Sequence, residues 1–304
     1  MTRIAFLGTP EAALPTLRAL AERHDVPLVI TQPDRAGGRG RALRTPPAKT
    51  EAARLGIDVA QPTSSDETVQ ALESAGGLDL AVVVAFGRIL APEALAVPAR
   101  GMLNVHFSLL PRWRGAAPVA RALMEGDSMS GVTIIRLDEG LDTGPVLTAQ
   151  AVDIGSEEVA GELTGRLAGL GARLLAGVIP SYLSGDLEPV PQSEDGMTYA
   201  GKIEPGERSI RVEGARVDQI NRVRALSPEP GAVLLIDGVP HQVLRARLHP
   251  TAPEPGIWVA VDGVPVAGLR DGGMELIEIL PPGKRPMPGQ EWLRGLRRES
   301  GMVG

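Results

Sequence analysis

The 304-residue sequence contains no cysteine. That absence excludes a disulfide framework and thiolate chemistry, and it suits a reducing compartment such as the cytoplasm. Histidine is also scarce, and the four imidazoles, at positions 24, 106, 241 and 249, do not have the spacing of metal ligands. The sequence therefore predicts chemistry without a metal.

Long apolar runs and a recognisable leader are missing as well. No uninterrupted apolar stretch approaches the roughly 20 residues that a bilayer requires. The chain begins directly with a strand-like segment, 3–8, and not with the charged, apolar and small-residue succession of a cleavable signal. We therefore expect a soluble, cytoplasmic protein with no membrane association and, as the simplest case, a monomer.

The balance of charge argues against a protein that coats nucleic acid. Lys and Arg number 31 against 37 Asp and Glu, for a formal net charge of -6, whereas neutralising phosphates requires clustered cations. One local cluster does stand out, because no acidic residue interrupts the run Arg35, Arg39, Arg41, Arg44 and Lys49. Composition alone allows either a solvated surface loop or an anion-binding segment.

Alternation of short apolar runs with helical patterns indicates an α/β fold in the first part of the chain. The clearest strands are 3–7, 26–31, 80–86, 102–106 and 132–137, and their near-continuous apolar character predicts a Rossmann-like, doubly wound, mostly parallel sheet. The longest helical pattern follows Ser156 and is expected to end near Pro180.

Proline and glycine mark a boundary between two predicted domains. We place a catalytic domain at 1–189, a linker at 190–207 and a smaller domain at 208–304. In the smaller domain, a helix at 216–226 precedes five short strands, at 232–236, 242–248, 257–261, 265–269 and 274–279. Five such strands predict an OB-like β-barrel, a fold that often binds polynucleotides.

Three polar side chains suggest chemistry at the edge of the predicted sheet. Asn104 and His106, at i and i+2 on one strand, share a face, and Asp142 occupies a glycine-flanked turn after a later strand. An amide donor, an imidazole and a carboxylate together suit acyl transfer. Taken singly, each has a structural alternative: a satisfied histidine, a strand-end hydrogen-bonding residue and a turn aspartate.

A continuous stretch decides between these interpretations. It runs from Asn104 to Pro118 as NVHFSLLPRWRGAAP and continues at 131–135 and 138–144, and the segments 8–10, 31–35, 38–40 and 198–203 share the likeness. The sequence resembles the folate-dependent formyltransferases and, among them, the methionyl-tRNA formyltransferase family. It departs from the family pattern at Phe107, at Glu229 and at Arg211-Val212.

The resemblance implies formyl transfer from 10-formyltetrahydrofolate, a co-substrate, to the α-amino group of methionyl initiator tRNA for translation initiation. It assigns catalysis to Asn104, His106 and Asp142. The folate-binding residues that it implies are Phe86, Gly87, Ile89, Leu90, Ser108, Leu109, Leu110, Pro111, Asp138 and Gly140.

The same resemblance implies that the cationic run contacts tRNA. The residues that it assigns to tRNA are Arg35, Arg39, Arg41, Arg44, Arg112 and Arg114, and the domain at 208–304 is expected to bind tRNA as well. Arginines in that domain can equally be solubilising surface.

Three other functions are weighed against this one. A formyltransferase acting on a nucleotide-sugar amine shares the core, but does not need the arginine run. A noncatalytic tRNA-binding protein does not need Asn104, His106 and Asp142. A dinucleotide oxidoreductase needs a Gly-X-Gly-X-X-Gly turn, which the segment after Gly8 lacks.

Overall fold

The computed structural model describes residues 1–35 and 43–304. The chain folds into two compact units, each assembled from three stretches. Unit 1 comprises Met1–Ala116, Gly131–Val152 and Thr164–Ala200, and unit 2 comprises Ala117–Ser130, Asp153–Leu163 and Gly201–Gly304. The domain boundaries at 189 and 207 remain a prediction.

The strands and helices of the described residues are numbered here in chain order. The strands are Ile4–Gly8 (β1), Leu28–Ile30 (β2), Asp58–Ala60 (β3), Leu80–Val84 (β4), Met102–His106 (β5), Arg114–Gly115 (β6), Met129–Arg136 (β7), Val146–Asp153 (β8), Tyr199–Ala200 (β9), Ala232–Ile236 (β10), Val239–His249 (β11), Ile257–Val261 (β12), Val264–Leu269 (β13), Gly272–Leu280 (β14), Met287–Pro288 (β15) and Ser300–Met302 (β16). The α-helices are Leu14–Ala21 (α1), Pro47–Leu55 (α2), Ser65–Ala75 (α3), Pro92–Ala96 (α4), Pro118–Glu125 (α5), Ala160–Ser184 (α6), Arg216–Leu226 (α7) and Gly289–Leu296 (α8).

One sheet runs in the order β3-β2-β1-β4-β5-β7-β8. The pairs from β3 to β5 are parallel, and β7 is antiparallel to β5. Every residue of β1, β4 and β5 is buried, as expected for strands covered on both faces. The predicted doubly wound, mostly parallel fold is confirmed, and its strand order reverses between β1 and β4, where such sheets bind ligands.

The edge strands of this sheet were not predicted from the sequence. β3 and β8 lie at the two ends of the strand order and are largely solvent-facing, and so lack the apolar runs by which the central strands were found. Edge strands are commonly polar on their open side.

Helix α6 corrects one expectation. It does not end near Pro180 but continues to Ser184 with Pro180 inside it. Beyond the proline, Tyr182 remains buried, and its hydroxyl donates to the carbonyl of Arg100 at 2.7 Å, so tertiary contacts hold the last turn. The helix is also long and apolar enough, by length and composition, to cross a membrane, a test that buried core helices pass as well.

Unit 2 contains the second sheet, which is antiparallel in the order β10-β11-β14-β13-β12-β16, with β15 paired to β14. Leu235 and Gly304 exchange backbone hydrogen bonds at 3.1 Å, which join the first strand of this order to the residues after the last. Trp258 lies fully buried inside, 5.3 Å from the ring of Trp292. The predicted smaller β-barrel is confirmed, with β16 as a strand that was not anticipated.

Candidate active site

The three residues predicted to carry catalysis lie together in unit 1. Asn104 and His106 project from the same face of β5, and Asp142 reaches them from the turn after β7. The Asn104 amide donates to Asp142 Oδ1 at 3.1 Å, and His106 Nδ1 lies 3.5 Å from Asp142 Oδ2. The first two side chains are buried and the third is only 12% exposed. One carboxylate thus touches both the amide and the imidazole in a largely water-free position.

The imidazole of His106 has an oxygen acceptor on each side. Its Nε2 lies 2.8 Å from the carbonyl of Trp113, and since a carbonyl can only accept, Nε2 carries the proton. Its Nδ1 faces the Asp142 carboxylate. Both N–H groups of a doubly protonated ring can therefore be satisfied here.

The turn that presents Asp142 is conformationally demanding. Asp142 has a φ of 54°, in the left-handed region. Its Oδ2 accepts from the backbone N–H of Gly115 at 2.9 Å. Gly115 is required at that point, because its φ is 122° and an added Cβ would lie 2.8 Å from the carbonyl oxygen of Ala200.

Gln192 completes the support of this turn and was not identified from the sequence. Its side-chain amide donates to the carbonyls of Asp142 and Gly144, at 2.8 and 2.7 Å, and its oxygen accepts from Arg114. Gln192 lies in the predicted linker, 190–207, which the sequence identifies only by its prolines and glycines. No local sequence pattern indicates that Gln192 has a role in the site.

The residues after β5, assigned to folate, form a braced turn. Ser108 is buried, and its hydroxyl donates to the carbonyl of Arg112 at 2.7 Å. Thr133 of β7 donates to the Ser108 carbonyl and accepts from the N–H of Leu110. Leu109, Leu110 and Pro111 are half-buried on this turn. Thr133 is a supporting residue that the sequence analysis missed.

The remaining folate assignments lie at two places in unit 1. The side chain of Phe86 is buried in the core, and Leu90 packs against the same cluster, whereas Gly87 and Ile89 are exposed. Asp138 and Gly140 lie in the turn before Asp142, where Oδ1 of Asp138 accepts from the N–H of Gly140. These folate assignments remain predictions.

The cationic run is tied at its two ends. Arg35 and Arg44 are exposed and pair through their backbones at 2.8 and 3.2 Å. Arg39 and Arg41 lie outside the described residues. Lys49 is paired with Asp34 at 2.7 Å.

That ion pair belongs to a network at the strand ends. Lys49 and Gln61 both donate to Asp34, and these hydrogen bonds hold the pKa of Asp34 below its usual value. Gln61 also donates to the carbonyl of Gln32, whose amide donates to the carbonyl of Phe86. Lys49 is therefore a structural cation, although the sequence showed it only as part of a basic run.

Arg112 and Arg114, both predicted to contact tRNA, differ in their surroundings. The Arg112 guanidinium lies 4.3 Å from the centre of the Trp113 ring and is partly accessible. Arg114 is buried, with its guanidinium bonded to Gln192 and to the sulfur of Met197. Arg114 thus makes its contacts inside the protein, and its tRNA contact remains a prediction.

Several arginines of unit 2 already have internal partners. Arg245, Arg247 and Arg298 form ion pairs with Glu162, Glu275 and Asp237, respectively. Arg224 is buried and donates to the carbonyls of Gly155 and Glu158. These four side chains stabilise unit 2, which leaves the predicted tRNA-binding role of that domain as a prediction.

Phe107, a departure from the family pattern, is buried beside the triad. A Cβ added at Gly171 of α6 would lie 3.8 Å from its ring and 2.4 Å from Val105. The bare helix backbone at Gly171 thus gives β5 and Phe107 room to pack.

Two family models match most of the chain. The family model described as Formyl transferase matches residues 2–179, and that described as Formyl transferase, C-terminal domain, matches residues 202–297. A methionyl-tRNA formyltransferase from Halorhodospira halophila is 45% identical over 303 residues, covering 97% of this chain and 96% of the relative. One from Cereibacter sphaeroides is 42% identical, covering 99% of this chain and 98% of the relative.

Solved structures share the fold. WlaRD, a sugar 3N-formyl transferase crystallised with dTDP and 5-N-formyl-THF, has a TM-score of 0.68 at 17% identity, covering 94% of this chain and 99% of that one. HypX from Aquifex aeolicus in complex with tetrahydrofolic acid has a TM-score of 0.67 at 21% identity, covering 96% of this chain and 46% of that one. The predicted family and its formyl-transfer activity are confirmed by the family models and the close relatives together, and the chain belongs to the formyl transferase family.

Proposed function

We propose that this formyltransferase transfers the formyl group of 10-formyltetrahydrofolate to the α-amino group of methionyl initiator tRNA. The observation that carries the proposal is the convergence of Asn104 and His106 on the carboxylate of Asp142. Relatives that share 42% and 45% of their residues with this chain over nearly its whole length are methionyl-tRNA formyltransferases, which supports that acceptor.

The reaction needs stabilisation of one developing charge. The neutral amine attacks the formyl carbon, and negative charge grows on the formyl oxygen in the tetrahedral intermediate. Collapse of the intermediate breaks the bond to N10 of the folate, which takes up the proton that the amine loses. Donors aimed at the formyl oxygen lower this barrier most effectively when they are held in place beforehand.

Asn104 and His106 are the donors that we assign to this oxygen. One N–H of the Asn104 amide is bonded to Asp142, and its second N–H is the donor for the intermediate. The Nε2–H of His106 donates to the Trp113 carbonyl, and we expect the formyl oxygen to replace that carbonyl as its acceptor. Asp142 orients the ring through Nδ1.

Folate and tRNA are assigned to different sets of residues. The pterin is assigned to Phe86, Gly87, Ile89 and Leu90, with the braced turn Ser108–Pro111 and Asp138–Gly140 as further folate contacts. The acceptor stem is assigned to Arg35, Arg39, Arg41, Arg44 and Arg112. Because the protein is acidic overall, this local cluster has to supply the attraction for tRNA phosphates.

The test is a formylation assay read by mass spectrometry. Methionyl initiator tRNA, methionyl elongator tRNA and a nucleotide-linked amino sugar are each incubated with enzyme and 10-formyltetrahydrofolate. A gain of one CO unit on the initiator methionine is the expected result. Formylation of the sugar alone, of the elongator tRNA alone, or of none of the three substrates would overturn the proposal.

A further inference from the structure

Gln192 uses its whole side-chain amide to hold the turn that carries Asp142. Its two N–H groups donate to the carbonyls of Asp142 and Gly144, one on each side of Thr143. Its oxygen accepts two N–H groups of Arg114, at 3.0 and 2.8 Å. Since a primary amide offers two donors and two acceptor positions, no capacity is left over, and the amide can face in one direction only.

Arg114 fixes Gln192 from the other side. Its side chain is buried, and Gln192 and Met197 supply the contacts of its guanidinium. A buried cation is costly unless it is hydrogen-bonded, so Arg114 strongly favours the orientation in which the Gln192 oxygen faces it. That orientation in turn directs the two N–H groups at the Asp142 turn.

Strand β6, which contains Arg114 and Gly115, also contacts Asp142 in a second way. Gly115, next to Arg114, donates its backbone N–H to Oδ2 of Asp142, while the Arg114 side chain acts through Gln192 on the Asp142 carbonyl. Strand β6 therefore holds the Asp142 carboxylate directly, through Gly115, and the Asp142 backbone indirectly, through Gln192. Asp142 needs such support because its φ of 54° is unfavourable for a residue with a side chain.

We propose that Gln192 and Arg114 are positioning residues for formyl transfer, which hold the Asp142 carboxylate against Asn104 and His106. The inference rests on the proposed function and deepens it. It also gives Arg114 a role inside the site in place of the tRNA contact expected from its sequence context.

The first test compares two replacements of Gln192. Gln192→Met keeps the length of the side chain and removes every hydrogen bond. Gln192→Glu keeps the acceptor for Arg114 and sets a carboxylate against the Asp142 and Gly144 carbonyls. Each is expected to lower kcat by about 10- to 100-fold, as displaced catalytic groups do, with the KM for either substrate changed by less than about two-fold.

Matched controls separate positioning from general damage. Gln150→Met, at an exposed position of β8, should leave kcat unchanged. Both Gln192 variants should remain folded at the assay temperature and bind folate as the wild type does, although Gln192→Met should lower the melting temperature because it leaves the buried Arg114 without its oxygen acceptor. Arg114→Met is expected to lower kcat as Gln192→Met does, and a rise in the KM for tRNA alone would restore Arg114 to tRNA binding and overturn its positioning role.

A double-mutant cycle decides whether Gln192 acts through Asp142. If it does, Gln192→Met in an Asp142→Asn background causes no further loss of rate, because the group that it positions is already gone. Losses that multiply, or a Gln192→Met enzyme with the wild-type kcat, would refute the inference.

One readout does not depend on which amine is formylated. The imidazole NMR signals of His106, assigned by their loss in His106→Ala, should shift in Gln192→Met and stay in place in Gln150→Met. If the wild type failed to formylate methionyl-tRNA, the proposed function would fall, while this shift would still report on the placement of Asp142. Unchanged His106 signals would refute the positioning role by themselves.

Discussion

At the scale of single residues, removing the Asn104 side chain tests how much one hydrogen-bond donor to the formyl oxygen contributes to the rate. It donates to Asp142 with one N–H and, in the proposed mechanism, to the formyl oxygen with the other. Asn104→Ala is expected to lower kcat by roughly two to three powers of ten, the usual cost of one oxyanion donor. The KM values should change little, and steady-state kinetics with each substrate varied in turn measures kcat and both KM values.

The control for Asn104 is a variant that leaves the donor in place. Phe107→Tyr alters the neighbouring buried side chain of the same segment but no donor of the triad. A wild-type rate in Asn104→Ala would remove Asn104 from the proposed chemistry, whatever the control shows.

Glu51 is one residue whose charge state couples stability to pH. Hydrogen bonds from Arg54 and Arg18 lower the pKa of Glu51 from 4.5 to about 2. Because the pKa of Glu51 is lower in the folded state, its ionised carboxylate adds to the free energy of unfolding above about pH 4.5. This stabilisation is lost as the pH falls toward 2. Both arginines are at least half exposed, so solvent weakens the pairing.

Glu51→Gln should therefore lower the free energy of unfolding at pH 7 by about 1 kcal/mol, an amount typical of solvent-weakened pairs. The difference from the wild type should shrink as the pH falls from 4.5 toward 2, as measured by urea unfolding at several pH values. Glu73→Gln, at an exposed position of α3, is the control and should show neither effect. A constant difference across the pH range would contradict the assignment.

At the scale of elements, helix α2 holds one end of the cationic run. Lys49 of α2 pairs with Asp34, which directly precedes Arg35, and the backbones of Arg35 and Arg44 pair next to it. Arg35 and Arg44 are thus held next to the Lys49–Asp34 ion pair.

Lys49→Met should raise the KM for methionyl-tRNA several-fold, because the base of the run is no longer fixed, and should leave the KM for folate unchanged. Arg54→Met is the matched control, since it removes one positive charge from the same helix without touching Asp34. Equal effects of the two variants on the KM for tRNA would mean that net charge, and not the Asp34 pair, is responsible.

The closure of the barrel in unit 2 depends on the last residues of the chain. Val303 is buried, whereas the neighbouring Met302 is 71% exposed. Val303→Ala is expected to cost about 1–2 kcal/mol of stability from the methyl groups removed and the space left behind. Met302→Ala should cost nearly nothing, and thermal unfolding of the two variants side by side makes the comparison. Equal stabilities would argue that the terminus does not close the sheet.

At the scale of the whole molecule, an acidic chain must bind a polyanion. The net charge of -6 opposes approach of tRNA, and the few arginines assigned to the acceptor have to outweigh it locally. The KM for methionyl-tRNA should accordingly rise with salt along a log–log slope of roughly 3.5 to 4.5, as expected for about five phosphate contacts. Arg39→Ala should reduce the slope by about one. A flat salt response would exclude the cationic run as the tRNA site.

The sequence by itself determined the family, the alternation of strands and helices in the main sheet and the barrel strands β10 to β14. Buried strands could be predicted because each is a local run of apolar residues. The family could be predicted because the segment from Asn104 to Pro118 is distinctive of it. Element ends that depend on neighbours were misjudged, as with the passage of α6 through Pro180, and the solvent-facing edge strands β3 and β8 were not seen.

Only the tertiary structure decided which polar residues serve one another. Gln192 lies 50 positions from the Asp142 that it holds, Lys49 lies 15 positions from Asp34, and Arg114 looks from its sequence like a surface cation yet is buried. A hydrogen bond between distant residues leaves no periodic pattern in the chain, because it requires only that folding bring one donor and one acceptor to the same point. The chemistry of the site could therefore be predicted from a short motif, whereas the hydrogen bonds from distant residues that hold the motif in place could not.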